Sequence, residues 1–113
     1  MNSRDEIVLK KIIQYADEIG ATIEHLKLTH DNFINDFIAK NAISMCIFQI
    51  WELVGKLSED FKLKNNKMPW REIKAMRNIA AHNYGEIDVD ILWETAIDGY
   101  RECCANRVNG IIF

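Results

Sequence analysis

The sequence predicts an all-α fold, an up-and-down bundle of four or five helices. Three observations carry this. Apolar residues recur at three- and four-residue spacing along most of the chain. No window alternates strictly with β-branched enrichment. Gly and Pro together fill only six of 113 positions, too few for a turn-rich sandwich or barrel. Hydrophobic residues make up 49% and charged residues 27%, which is ordinary globular composition. The length fits one domain over residues 1–113 with a single small core.

The first helix is expected over about residues 3–19. Ser3 can cap it, with Glu6 three residues on as a capping box requires. Ile7, Leu9, Ile12, Ile13, Tyr15, Ala16 and Ile19 form its broad apolar face, and Gly20 is the expected stop. Residues 21–30 remain open between a short helical turn over Thr22 to Leu28 and a loop. Thr29 or Asp31 then starts a long periodic stretch reaching about Leu63, with room for a bend between Asp36 and Lys40. The run from Lys62 to Lys67 reads as a polar loop. Pro69 suits a first helical position, where its missing N–H costs nothing, and a helix should follow to about His82. Tyr84-Gly85 marks a turn, and Asp88 can cap the last helix.

Fourteen basic and seventeen acidic residues give a net charge of −3. The pI is near 5.6. A duplex-DNA binder usually carries a basic footprint, so nucleic-acid work here would have to be local to a cleft. No apolar run approaches the roughly 20 residues of a membrane span, and no signal-peptide pattern follows Met1. Cys46, Cys103 and Cys104 are odd in number and contain no C-x-x-C pair. A disulfide framework or zinc site does not fit them. The expectation is a cytoplasmic protein that needs no metal or cofactor. Cys46 reads as a core residue. His25 and His30 lack a ligand constellation.

One stretch carries chemistry. Around a helix at about 100° per residue, Ile73, Met76, Ile79 and Ala80 form an apolar sector. The other side gathers Lys74, Arg77, Asn78, Ala81 and His82. Asn78 and His82 are i,i+4 neighbours, so Asn78 can orient the imidazole. Small Ala81 lets another helix approach. Taken alone, this sector is equally compatible with a solvated helix face.

Arg77-Asn78-x-x-x-His82-x-Tyr84 resembles the R-x4-H-x-Y motif of HepT-type HEPN proteins. Pro69-Trp70-Arg71-Glu72-Ile73 resembles the segment that precedes that motif. Gln49 to Ser58, with the acidic residue at Glu52, resembles the family's central helix. Asp88 to Trp93 resembles the start of its last helix. The likeness spans roughly residues 5–98. Ala75 stands where the family usually has Gly, Asn83 where it often has Asp, and the tail from Gly99 to Phe113 differs.

The resemblance implies a HEPN-type bundle that works as a homodimeric, metal-independent endoribonuclease toxin. RNA would be its substrate. Arg77 and His82 would be catalytic, with Asn78 and Lys74 in support. Its partner would be a minimal nucleotidyltransferase (MNT) antitoxin that silences it by attaching AMP to Tyr84. A non-catalytic helical partner of that nucleotidyltransferase is the alternative.

Overall fold

The structure, a computed structural model, describes the backbone over residues 2–82 and 87–108 and the side chains over 2–82 and 87–98. All regular elements among the described residues are helices. In chain order they are α1 (Ser3–Leu26), α2 (His30–Asn35), α3 (Phe37–Val54), α4 (Glu59–Lys64), α5 (Trp70–His82) and α6 (Val89–Val108). The all-α HEPN-type bundle stands, with two one-turn helices added to four long ones.

Local signals set most boundaries, in places one residue from the sequence expectation. Asn2, not Ser3, caps α1: its Oδ1 accepts from the Asp5 N–H at 2.7 Å. Gly20 does not end the helix but is buried inside it. Bundle packing there outweighs the roughly 1 kcal/mol that an interior glycine costs. The helix closes instead at Lys27, which takes the left-handed conformation at φ 52°. The Leu28 N–H then donates to the Ile23 carbonyl at 3.0 Å.

Thr29 caps α2, its Oγ1 accepting from the Asn32 N–H. The bend expected after residue 35 is a clean break. Asp36 Oδ1 accepts from the N–H groups of Ile38 and Ala39, at 3.0 and 3.2 Å, and starts α3.

The long stretch to Leu63 is not one helix. It breaks at Gly55, and Ser58 restarts it as α4. Leu57 and Phe61 keep helical spacing across the break, which hid it in the sequence. The restart is braced from far away in the chain. Asp5, 2% exposed, accepts from both Ser58 N–H (2.9 Å) and Ser58 Oγ (2.6 Å). The same Oγ accepts from the Phe61 N–H. The expected loop at Lys62–Lys67 is shortened, because α4 runs to Lys64. Pro69 lies just before α5, with its carbonyl taking the Ile73 N–H at 3.0 Å. Asp88 caps α6 as expected, through the Asp90 N–H at 2.8 Å.

Helix α3 is the centre. It packs against α1, α2, α5 and α6. Phe37–Val54 is long and apolar enough, by length and composition alone, to cross a membrane, contrary to the sequence reading. Here it is a core helix, with Ile43, Cys46, Ile47 and Trp51 buried among Ile19, Phe33, Leu92 and Ala96. Burial pushes the Cys46 thiol pKa up. A second cluster joins Val8 and Leu9 of α1 to Leu53 and Leu57. His30 serves packing: Nε2 lies 2.6 Å from Asp90 Oδ1, and the ring meets Trp93 edge-on. Cys103 and Cys104 have side chains outside the described residues.

The Asp5–Ser58 link has a pH signature. The Ser58 hydroxyl, then the Ser58 N–H, hold the Asp5 carboxyl below its ordinary value of 3.8. A depressed folded pKa contributes stability that is complete above the unfolded value and lost as pH falls through the folded one. Asp5→Asn should therefore lower the urea midpoint at neutral pH and lose less stability than wild type on acidification below about pH 4. Urea titrations across pH check this.

Candidate functional site

Helix α5 is held by one face. Ile73, Met76 and Ala80 pack, partly buried, on the cluster around α3. Ile79 was expected with them but is 42% exposed. It sits at the rim of the apolar sector, about 100° from Ala80. Trp70 fixes the start of the helix. Its indole N–H is shared between the carbonyls of Lys62 and Asn65, both at 3.1 Å, and its ring packs near Phe61.

The polar sector faces out. Lys74, Asn78, Ala81 and His82 are exposed, as is Arg71 one turn earlier. Arg77 is different. Its side chain turns toward α3, where Nε donates to Glu52 Oε1 at 2.9 Å and Nη2 donates to Oε2 at 3.3 Å. This is the two-pronged fork that a planar guanidinium offers a carboxylate. Nη1 donates to Asn78 Oδ1 at 3.3 Å. Glu52 and Asn78 thus hold the guanidinium through three of its five N–H donors, and among the described residues the other two, one on Nη1 and one on Nη2, have no partner.

Two sequence expectations change here. Asn78 bonds Arg77 rather than His82, because the guanidinium reaches it from the adjacent position. His82 ends α5, exposed, with no hydrogen-bond partner among the described residues. Lys74 lies one turn before Asn78 on the same outward strip. Tyr84 lies outside the described residues. The sequence reading named Glu52 only as a point of likeness and missed its pairing with Arg77. A signal was present: Glu52 is the sole acidic residue among the 18 of α3.

A helical bundle with a fastened Arg and an exposed His five residues apart on one helix is consistent with the HEPN-type class that the sequence resembles. The family described as ribonuclease HepT-like matches residues 9–103, and the chain belongs to that family. Among its relatives, a protein of Methanocaldococcus jannaschii named as a candidate RNase is 32% identical over 97 residues, covering 85% of this chain and 78% of the relative. A second named candidate RNase, from Caldanaerobacter subterraneus, is 33% identical over 90 residues, 79% of this chain and 78% of the relative. The probable ribonuclease HepT of Thermococcus cleftensis is 30% identical over 86 residues, 72% of this chain and 78% of that one. No solved structure matches at a significant level.

The fork to Glu52 is a measurable restraint. Both partners keep over two-fifths of their side-chain surface in water, at 42% and 45%, so the pair should add only about 0.2–1 kcal/mol to stability. Glu52→Ala should leave the urea midpoint nearly unchanged. It should also speed exchange of the Arg77 Nε proton with water, which nitrogen-detected NMR would show.

Proposed function

We propose that residues 1–113 form one HEPN domain acting as a metal-independent endoribonuclease, the toxin of a HepT/MNT toxin–antitoxin pair in the cytoplasm. The observation that carries the catalytic reading is the Arg77 guanidinium, fixed by Glu52 and Asn78 with one edge free, on the same helix as an exposed His82. Membership of a ribonuclease family supports RNA as the substrate.

The chemistry uses the ribose as its own nucleophile. The 2′-oxygen attacks the adjacent phosphorus while an imidazole takes its proton. The bond to the 5′-oxygen breaks, and an imidazolium returns a proton to that leaving oxygen. A 2′,3′-cyclic phosphate and a 5′-hydroxyl result. His titrates near neutral pH, which suits both proton transfers. Charge that builds on the non-bridging oxygens meets the free edge of Arg77. Lys74 adds positive charge beside it.

A homodimer completes this site in our reading. Arg77 and His82 are about 140° apart around α5, and Arg77 leans to α3 while His82 faces out. Two copies about a twofold axis would bring two of each to one groove. An exposed row on α3 supports such a contact. Ile38 is 67% and Met45 51% exposed, with Ala42 and Gln49 between and beyond them, and the row leads to Glu52.

Silencing by the MNT antitoxin follows from Tyr84 in the motif. A phenol is a competent acceptor for an adenylyl group. The added phosphate would compete with RNA for Arg77, and the adenosine would crowd the groove.

Three outcomes are expected. His82→Ala and Arg77→Ala should each lower RNA cleavage by roughly 10²–10⁴ while staying folded, and wild-type cleavage should persist in EDTA. An inactive wild type that still binds the nucleotidyltransferase would favour a non-catalytic partner instead. Light scattering at micromolar concentration should give twice the 13.2 kDa chain mass; a monomer throughout would refute the shared site. Incubation with the cognate nucleotidyltransferase and ATP should add AMP mass to wild type but not to Tyr84→Phe, by intact-mass measurement.

A further inference from the structure

Charge is unevenly placed along the chain. Residues 61–82 hold six of the fourteen basic residues and one of the seventeen acidic ones, although the protein is net negative. Lys64 is exposed on α4 and pairs with Asp60 at 3.1 Å, whereas the exposed cations of α5 fall along one line. Arg71, Lys74, Asn78 and His82 fall within about 80° of one another around α5, and all four are exposed. Glu72, the single acidic residue, points about 100° away from Arg71. Lys67 lies just before the helix start. It is exposed on the turn between Asn65 and Pro69. That turn is fastened to α5 by the Trp70 indole, shared between Lys62 and Asn65 carbonyls at 3.1 Å. The turn that carries Lys67 is therefore held at the start of the helix that carries Arg71.

The strip is longer than one phosphate needs. Eleven residues separate Arg71 from His82, a rise of about 16 Å. A cation at Arg71 cannot share a phosphate with His82. A chain of phosphates running along α5 would meet both. Among the described residues the strip presents cations and small polar groups without an exposed aromatic ring, so it suits a backbone and not particular bases.

We propose that Lys67 and Arg71 form a phosphate track that holds single-stranded RNA flanking the bond cut at Arg77 and His82. The inference rests on the ribonuclease function proposed above. A single strand is the occupant because in-line attack by a 2′-hydroxyl needs a backbone free to leave helical geometry. The track makes the substrate a strand that extends well past the scissile phosphate on one side, held without regard to sequence there.

Binding tests this apart from catalysis. A fluorescein-labelled oligouridylate ten nucleotides long is titrated, by anisotropy, with full-length His82→Ala protein, whose turnover is slowed enough for binding to be read. Adding Lys67→Ala and Arg71→Ala should weaken binding at least tenfold. It should also reduce the slope of log affinity against log salt by about 1.4, since each lost single-strand phosphate contact removes about 0.7. Adding Lys10→Ala and Lys11→Ala, exposed on α1, should change neither, and circular dichroism confirms that each variant is folded. Equal affinity and slope with and without Lys67 and Arg71 would overturn the track, as would a parent that binds no RNA. Unchanged RNA binding with lost association to the nucleotidyltransferase would also overturn it, and would make the ridge a protein-docking surface. RNA binding that depends on Lys67 and Arg71, in a protein whose wild type cuts no RNA, would uphold the track and refute the ribonuclease.

Discussion

Helix α3 carries too much apolar surface to stand alone in water, and the molecule is arranged by that fact. Its 18 residues carry one cation, Lys40, and one anion, Glu52. The rest is mainly apolar, so α1, α2, α5 and α6 each lay a face against it. The burial of Phe33, Ile43 and Ile47 supplies the main driving force. Glu52 then takes its meaning from position. It lies near the edge of the covered surface, half in water, where a carboxylate is tolerated and can reach across to α5. The core helix holds the bundle together and also supplies the anchor for Arg77 on α5.

The helical class, the caps at Thr29 and Asp88, and the burial of Cys46 were legible in the sequence because each depends on residues close in the chain or on plain hydrophobicity. The errors at Gly20 and Gly55 have one root. Local signals were weighed without knowing which surfaces the bundle covers. Gly20 looked like a stop but is buried in a helix that packing sustains. Gly55 looked like interior helix, yet the chain breaks there and restarts at Ser58, which Asp5, fifty-three residues away, braces.

The candidate site was legible in its residues and not in its bonds. Arg77 and His82 stood out through a motif and its flanks, since both lie on one short helix. The fork between Glu52 and Arg77 spans twenty-five residues, and spacing along a chain says nothing of such a pair. Asn78 was given the wrong neighbour for a related reason. Helical geometry allows it to meet either Arg77 or His82, and the direction in which Glu52 draws the guanidinium settles which.

The Asp5–Ser58 contact also ties the candidate site to the opposite end of the chain. Asp5 on α1 accepts from the backbone and hydroxyl of the residue that caps α4. The carbonyls of Lys62 and Asn65 that seat Trp70 lie at the end of α4 and just past it. The start of the helix bearing Arg77 and His82 is thus referred, link by link, to a side chain on the first helix. A change in α1 can reach that helix without touching it.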